Sequence, residues 1–265
     1  MNTPENIYDN LLATLRGEFI DEAEENHNNL DLVLENTRAG KEDSKDALMQ
    51  VRRIAHSLKG SSGVADFPLV SLVMHRMEDY LDNVSELDEI IIDDLQVFLD
   101  KSREFSSLNI DQRSIDSAEL SRQLPEKRIE GIGGREEAGA DIQVDIIEAM
   151  MVIKEKTSGL LFERELRAAG MRVTTVRSSF EAIEMAVRTK PDIVIVSGVL
   201  DELTGVDVAS ALKCMPKTSN ISVALLTSFE RGHSDLKGLP ESVELIQKNN
   251  LKDDLLELLA KLNLI

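Results

Sequence analysis

The chain of 265 residues has no tryptophan, and aromatic residues make up only 3% of it. Aliphatic side chains and methionines must therefore fill its core. Its one cysteine, Cys214, cannot form a disulfide within the chain, which is typical of a reducing compartment. The sequence also lacks an apolar run of the about 18 residues that a membrane span needs, and its N-terminus does not resemble a signal peptide. We therefore expect a soluble, cytoplasmic protein without a membrane partner.

Positive charge is scarce as well. The chain has 49 acidic and 30 basic residues, so its formal net charge is −19. Such a surface repels nucleic acids, which excludes them as partners, and it favours proteins that present basic patches. The length is enough for one or two domains.

The most informative stretch of the N-terminal half is RRIAHSLKGSSG at residues 52–63. Two polar residues further along the chain, His75 and Glu78, complement it. His56 and Lys59 lie three residues apart, so they share one face of a helix. The helix breaker between the two parts is Phe67-Pro68, because proline fits the first turn of a helix but not its middle. A hairpin that turns at Phe67 sets Glu78 level with His56 and His75 level with Lys59.

These residue types suit phosphoryl transfer. A neutral imidazole at His56 is a good nucleophile. Glu78 is placed to accept a hydrogen bond from this imidazole, which fixes the tautomer of the ring. Lys59 supplies positive charge for phosphoryl oxygens. Gly60 has no side chain, so it lets another protein approach closely, and Gly63 extends that clearing.

The motif HSLKGSSG, followed by His-x-x-Glu-Asp, resembles the histidine phosphotransfer (HPt) domain that opens chemotaxis histidine kinases. The resemblance covers about residues 5–106. It implies that His56 is the phosphoacceptor, surrounded by Lys59, His75 and Glu78. It also implies that the partners are histidine kinases and the receiver domains of response regulators.

Three competing interpretations are weaker. His75 and Glu78 could form half of a carboxylate metal site, but the second Glu-x-x-His pattern that such a site needs is absent, so we predict no metal. The glycines at 131–134 follow no strand and lack a Gly-Lys-Ser/Thr ending, so we interpret them as linker rather than as a phosphate loop. His27 lies in a polar run, EENHNN, and we expect it to be solvated.

Apolar residues recur with a helical period in residues 5–38, which form one long helix or a short helix joined to a longer one, and in residues 44–56, 68–83 and 87–105. Four amphipathic helices with short connections predict an antiparallel bundle, which we assign to residues 1–107. Residues 108–145 are glycine-rich and polar, so they predict a flexible linker with a short helix near 116–124.

Residues 146–265 differ in pattern, because short aliphatic segments alternate with amphipathic ones. Strands are predicted at 149–153, 172–176, 192–196, 222–226 and 243–246, and helices at 160–169, 179–188, 206–214 and 252–262. This alternation predicts an α/β domain with a doubly wound parallel sheet, whose ligands would bind at the carboxyl ends of its strands.

This half resembles the receiver domain of response regulators. The segment PDIVIV before Ser197, with Gly205 eight residues later, follows the pattern around the phosphoacceptor of that family. Thr227 matches the family's hydroxyl position and Lys248 its lysine.

Two departures from the receiver pattern matter. Ser197 stands where the family has its acceptor aspartate, and Lys154 and Glu155 stand in the segment where the family has the acidic pair that holds magnesium. Asp201 is expected in the loop after the strand and is a poor substitute, and His233 is expected in a surface loop. We therefore predict a pseudo-receiver that forms no phosphoaspartate, with a remodelled anion site at Ser197, Thr227 and Lys248 as the less favoured alternative.

The leading hypothesis is a phosphorelay protein that accepts a phosphoryl group on His56 and passes it to a response regulator. It would not be a kinase, since the chain has no room for an ATP-binding kinase domain, and no cofactor is predicted. The pseudo-receiver would serve docking, homodimerisation or control of access to His56. The alternatives are a non-catalytic adaptor that sequesters a regulator or kinase, and a phosphatase for a partner's phosphoaspartate.

Overall fold

A computed structural model describes residues 4–107, 112, 115–126 and 147–261 of the chain. The chain divides into two compact units, residues 1–127 and residues 128–265.

Unit 1 is a helical bundle, as predicted. Its four long helices are α1 (Pro4–Arg38), α2 (Ser44–Val64), α3 (Pro68–Leu81) and α4 (Glu89–Phe105). Each helix packs on the next one, and α4 packs back on α1, so the four enclose one core. The core is aliphatic and contains few aromatic rings, which agrees with the composition; its fully buried side chains include Leu30, Leu58, Leu72, Met77, Leu95 and Phe98.

The helix ends follow local sequence signals. Asp43 caps α2 by accepting hydrogen bonds from the backbone N–H groups of Lys45 and Asp46, and Asp88 caps α4 in the same way. Pro68 begins α3, where its missing N–H costs nothing. Helix α2 continues to Val64, two turns beyond the predicted end, so the whole HSLKGSSG motif is helical.

The turn between α2 and α3 is held against α1. Asp66 adopts a left-handed backbone with φ of 60°, and its carboxylate forms an ion pair with Arg16 at 2.5 Å. The next residue, Phe67, is buried and its ring lies 4.7 Å from that of Phe19. Arg16 and Phe19 lie one helical turn apart on α1, so both contacts fix the same turn.

A fifth helix, α5 (Ser117–Gln123), is present close to where a short helix was predicted. It packs on α3, and it buries Ala118, Leu120 and Leu124. Gln112 joins the neighbouring helix ends, since its side chain accepts from the backbone N–H of Leu69 and donates to the carbonyl of Phe105. The remainder of the predicted linker, including the glycines at 131–134, lies outside the described residues.

The prediction that His27 is solvated is wrong. Its side chain is only 1% exposed, and its Nε2 lies 2.8 Å from the hydroxyl of Ser102 on α4. The reason is helical periodicity: His27 shares a face with the buried residues Ala23, Leu30 and Leu34, and its polar neighbours in sequence point elsewhere. Burial, followed by the charge of Arg103, lowers the pKa of His27 to about 4.

Unit 2 is a doubly wound α/β domain, which confirms the predicted class. Its five parallel strands lie in the order β2-β1-β3-β4-β5. The strands are β1 (Glu148–Val152), β2 (Arg172–Val176), β3 (Ile193–Ser197), β4 (Ser222–Thr227) and β5 (Glu244–Gln247). The helices are α6 (Lys156–Ala168), α7 (Ser179–Thr189), α8 (Gly205–Cys214) and α9 (Leu251–Lys261).

Both faces of this sheet are covered. Alternate residues of β1 and β3, such as Met151 and Ile195, pack with Leu166 of α6 and Leu258 of α9. The strand residues between them are also buried, and they face the side of α7 and α8. The ends of β1 and β3 therefore form the crevice where a sheet of this order changes winding direction, which is where ligands of such folds bind.

The connection from β4 to β5 departs from the alternation of strands and α-helices in unit 2. Residues 228–243 contain a 3-10 helix, Ser234–Leu236, and no α-helix. The segment is held by a hydrogen bond from Arg231 to the carbonyl of Val243 and another from Gln247 to that of Phe229. His233 is exposed in this segment, as expected, and its ring stacks on Phe229 at 3.9 Å.

Candidate functional site

The exposed imidazole of His56 is held by a carboxylate. Its side chain is 78% exposed, and Nδ1 lies 2.8 Å from Oε1 of Glu78. A carboxylate can only accept, so Nδ1 carries the shared proton and Nε2 of the neutral ring keeps its lone pair. The second oxygen of Glu78 lies 2.5 Å from Nζ of Lys59. Glu78 therefore joins the imidazole and the ammonium in one cluster.

The hairpin geometry explains this convergence. Phe67 lies eleven residues from both His56 and Glu78. At the other end of the hairpin, Arg52 of α2 donates hydrogen bonds to the carbonyls of Leu81 and Val84 at 2.6 and 2.8 Å. The register of α2 against α3 is thus fixed on both sides of the histidine. The contact between Glu78 and His56 agrees with the expectation that these two residues lie level in the hairpin.

His75 differs from the other three polar residues. It lies one turn before Glu78 on α3, but its side chain is only 7% exposed. It therefore belongs to the packed part of α3, whereas His56 is open to solvent.

The glycines of the motif keep the surface of α2 low. An added Cβ at Gly60 or at Gly63 would meet nothing within 4 Å. Packing inside unit 1 therefore does not require glycine at either position. The bare backbone lies on the same side of the helix as His56, since Gly60 follows it by one turn.

In unit 2, the receiver-like residues gather at the carboxyl edge of the sheet. Ser197 ends β3, is 1% exposed, and its hydroxyl has no hydrogen-bond partner within the described residues. Thr227 ends the neighbouring β4, and its hydroxyl accepts from the backbone N–H of Phe229. Lys248 follows β5, is exposed, and donates its backbone N–H to the carbonyl of Thr227.

Lys154 and Asp201 form an ion pair across this edge. Nζ of Lys154 lies 2.5 Å from Oδ1 of Asp201, which is in the loop after β3 as expected. The hydrogen bond and charge of Asp201 raise the pKa of Lys154. Glu155 occupies the position before α6 and is exposed, without a side-chain cap bond to the helix.

Sequence reasoning missed Glu202 at the same edge. Its carboxylate accepts hydrogen bonds from the hydroxyls of Ser178 and Ser179 and from the backbone N–H of Ser179, at the start of α7. These bonds, first the one from the Ser179 hydroxyl, lower the pKa of Glu202. A serine pair before a helix is a local signal, but it does not identify an acceptor from a distant loop.

Across the described parts of both units, no group of three or more His, Cys, Asp or Glu side chains could hold a metal ion. Within the same residues, none of the helices combines the length and apolarity that crossing a membrane requires.

Residues 14–105 match the Hpt domain family. The match covers α2 and α3 entirely and therefore contains the whole cluster of His56, Lys59 and Glu78. The predicted resemblance of unit 1 to histidine phosphotransfer domains is confirmed. No curated protein sequence matches the chain.

Several solved structures are similar to the C-terminal part. A response regulator from Chloroflexus aurantiacus is 21% identical over 44% of this chain and 98% of its own, with a TM-score of 0.40. The chemotaxis response regulator CheY4 of Vibrio cholerae is 18% identical over 44% and 98%, with a TM-score of 0.39. The receiver domain of a sensor histidine kinase from Pseudomonas aeruginosa, which holds a magnesium ion, is 20% identical over 44% and 96%, with a TM-score of 0.40.

The strand order of unit 2 identifies its fold independently. The order β2-β1-β3-β4-β5 is that of the flavodoxin-like sheets, a class that includes chemotaxis response regulators. The receiver-like fold predicted for this half is confirmed. An Hpt domain together with a receiver-like unit indicates involvement in a two-component phosphorelay, whose interacting proteins are kinases and response regulators.

Proposed function

We propose that the chain is a histidine phosphotransfer protein, which accepts a phosphoryl group on His56 and passes it to the aspartate of a response regulator. The observation that carries this proposal is the hydrogen bond between His56 and Glu78 on an otherwise exposed imidazole. The bond leaves Nε2 as the nucleophile and directs it to solvent, where a partner can reach it.

The transfer step uses this arrangement in both directions. When a partner's phosphoaspartate is the donor, the lone pair of Nε2 attacks phosphorus, an N–P bond forms, and the acyl P–O bond breaks to leave a carboxylate. The proton on Nδ1 remains shared with Glu78, which stabilises the positive charge that develops on the ring. In the reverse step the partner's carboxylate attacks, and His56 leaves as neutral imidazole.

The neighbouring residues have supporting roles. Lys59 lies one turn from His56, and its side chain is 26% exposed. Its ammonium is therefore within reach of the oxygens of a phosphoryl group on the His56 ring. Gly60 leaves room for the partner's backbone. His75 is buried and would act through the packing of α3 rather than by touching the phosphoryl group.

We also propose that unit 2 is a receiver-like unit that is not phosphorylated. Ser197 replaces a carboxylate by a hydroxyl, which is a far weaker nucleophile, and the ammonium of Lys154 occupies the edge where a cation would have to bind. Unit 2 would then serve to dock partner proteins or to regulate the phosphotransfer. We propose a cytoplasmic location for the chain, since the receiver domains of its partners are found there.

The test is phosphorylation of the full chain and of His56→Gln. Both are incubated with each histidine kinase of the source organism and labelled ATP, and then with its response regulators. We expect acid-labile label on the parent, none on His56→Gln, and passage of that label to a regulator. Equal labelling of His56→Gln would overturn the proposal. Unchanged binding of a regulator by an unlabelled parent would instead support a non-catalytic adaptor.

A further inference from the structure

The last turn of α3 carries carboxylates where a helix is stabilised by cations. It contains Glu78 and Asp79, its C-terminal cap is Asp82, and no basic residue of α3 lies there. The carbonyl groups at this end form the negative pole of the helix dipole, so neighbouring carboxylates destabilise the turn and a cation stabilises it. The sequence of α3 alone therefore leaves the turn that carries Glu78 prone to fray.

Arg52 of α2 supplies the cation that α3 lacks. Its guanidinium donates one hydrogen bond to the carbonyl of Leu81, at 2.6 Å, and another to that of Val84, at 2.8 Å. Leu81 is the last residue of α3, and Val84 lies in the connection that follows. Arg52 is half-buried, and hydrogen bonds from a charged donor are stronger than those between neutral groups. The two bonds therefore close the end of α3 and fasten it to α2.

This clamp lies directly beside the imidazole. Arg52 precedes His56 by four residues on α2, and Glu78 precedes Leu81 by three residues on α3, so each pair is separated by about one helical turn. The bond from Arg52 to Leu81 and the bond from His56 to Glu78 are therefore adjacent links between the same two helices. Movement of the last turn of α3 would move the carboxylate of Glu78 away from Nδ1 of His56.

The side chains that meet Glu78 do not hold the backbone of this turn. The imidazole of His56 is 78% exposed, and Lys59 reaches the carboxylate with a flexible four-carbon stem. Both bonds end on the carboxylate, so both side chains can follow it when the turn moves. The bonds of Arg52 end on backbone carbonyls, and they restrain the turn itself.

We propose that Arg52 is a positioning residue for His56, because its guanidinium holds the last turn of α3 at the height where Glu78 accepts the proton on Nδ1. This inference rests on the proposed function, since it concerns the reactivity of His56 toward a phosphoryl donor. It adds a residue that acts through Glu78 rather than by contact with the reacting atoms. Displacement of an orienting group by about 1 Å can slow a reaction by as much as about 100-fold, so the effect is measurable.

The experiment compares three variants of the full chain with the parent. Arg52→Met keeps the apolar stem and removes the donors, and Arg52→Lys keeps the charge with one donor group. Arg38→Met is the matched control, because it removes an arginine that pairs with Asp93 and so joins α1 to α4. Each protein is labelled with phosphoramidate, a small donor that needs no docking partner.

We expect Arg52→Met to label about fivefold more slowly than the parent, because Glu78 no longer stays in place. Arg52→Lys, whose ammonium can reach one carbonyl, should lie between Arg52→Met and the parent. Arg38→Met should stay within about twofold of the parent, since it leaves the contacts between α2 and α3 unchanged.

A double-mutant cycle with Glu78→Ala tests whether Arg52 acts through Glu78. If it does, the two effects are not additive, and Arg52→Met should slow labelling by less than about twofold once the carboxylate is absent. A general loosening of unit 1 would instead slow labelling equally in both backgrounds.

The tautomer of His56 gives a readout that does not depend on phosphorylation. The chain has four histidines, so the ring nitrogen resonances of His56 are assigned in NMR spectra by comparison with His56→Gln. At a pH of about 8.5, well above the ordinary histidine pKa of about 6.5, these resonances report which nitrogen carries the proton. The parent and Arg38→Met should carry it on Nδ1, whereas in Arg52→Met it should be shared between Nδ1 and Nε2.

The outcomes separate this inference from the proposed function. Suppose that the parent labels at His56, but Arg52→Met labels as fast as Arg38→Met, keeps its proton on Nδ1, or slows labelling equally with and without Glu78. Any of these results, or an Arg52→Lys chain that labels no faster than Arg52→Met, would overturn the role of Arg52 and leave the proposed function standing. If the parent does not label at His56, the proposed function fails, and the tautomer in Arg52→Met alone decides whether Arg52 orients the ring.

Discussion

Oε1 of Glu78 lies 2.8 Å from Nδ1 of His56, and this contact joins the exposed imidazole of α2 to helix α3. The same carboxylate contacts Lys59 through its other oxygen. Glu78 thus determines the tautomer of the exposed imidazole and the resting position of the Lys59 ammonium.

Replacement of Glu78 by glutamine should slow phosphorylation of His56 about tenfold, which corresponds to about 1.4 kcal/mol in the barrier. The amide oxygen can still accept from Nδ1, but it no longer stabilises the charge that develops on the ring. The measurement is the rate of labelling by phosphoramidate, which reports the reactivity of the imidazole without a docking partner.

Glu86→Gln is the matched control, since it removes one exposed carboxylate of unit 1 outside the cluster. It should label at the parent rate. A Glu78→Gln chain that labels as fast as Glu86→Gln would show that Glu78 has no part in activating His56.

The convergence of His56, Lys59 and Glu78 could be predicted from sequence because it depends on short-range regularities. A helix period places Lys59 beside His56, and one proline determines the turn around which Glu78 folds back. The contact of Lys154 with Asp201 could not be predicted in this way. These residues are 47 positions apart and meet through the arrangement of two loops at a sheet edge, for which the sequence has no period.

His27 shows an error that a stricter use of the same regularity would have avoided. Its neighbours in sequence are polar, but its neighbours on the helix, Ala23 and Leu30, are buried. The period of α1 therefore takes precedence over local composition. Its hydroxyl partner Ser102 is different, because nothing in the sequence indicates which residue of α4 faces position 27.

Burial of His27 should make unit 1 less stable in mild acid. The pKa of His27 is about 4 in the folded chain, and an unfolded histidine has a pKa of about 6.5. The unfolded state therefore binds more protons between these values, so the free energy of unfolding is unaffected by His27 above pH 6.5 and falls as the pH drops towards 4. From pH 7 to pH 5 the loss should be about 2 kcal/mol.

Tyrosine fluorescence can isolate this effect, since both tyrosines, Tyr8 and Tyr80, lie in unit 1 and the chain has no tryptophan. Urea unfolding followed at pH 7 and at pH 5 gives the two free energies. In His27→Gln, which can still bond to Ser102 but does not titrate, the difference between the two pH values should shrink by about 2 kcal/mol. An equal difference in both proteins would contradict the assignment.

Gly205 is required by the packing of the loop after β3. An added Cβ would lie 2.2 Å from the carbonyl oxygen of Ser197 and 2.8 Å from Cα of Gly198. Both are backbone atoms that cannot move aside separately, so Gly205→Ala should destabilise unit 2 by about 3 kcal/mol. Gly198→Ala is the control, because its Cβ would meet its nearest atom at 3.6 Å, an ordinary contact.

Hydrogen exchange read by mass spectrometry measures this loss within the full chain. Peptides that contain β3 and β4 should exchange at least tenfold faster in Gly205→Ala, and close to the parent rate in Gly198→Ala. Peptides of α2 and α3 give an internal reference. Similar exchange in the two variants would mean that the loop can adapt to a side chain at position 205.

The last prediction concerns the chemistry of unit 2 and uses a His56→Gln background, so that any label must come from elsewhere. Acetyl phosphate with Mg²⁺ should label neither the His56→Gln chain nor the same chain with Ser197→Asp added. Ser197→Asp places a carboxylate at the end of β3. The ammonium of Lys154 remains paired with Asp201 at 2.5 Å, however, and it repels the cation that the reaction needs.

Addition of Lys154→Asp to Ser197→Asp should change this result. The second substitution removes the ammonium, releases the carboxylate of Asp201, and adds a carboxylate beside Glu155. With the carboxylate introduced at position 197, four acidic side chains then become available to Mg²⁺ at one sheet edge. We therefore expect label that depends on Mg²⁺ in the double variant alone. Label in the His56→Gln parent would mean that unit 2 has an acceptor of its own, whereas label in Ser197→Asp alone would mean that Lys154 does not exclude the cation.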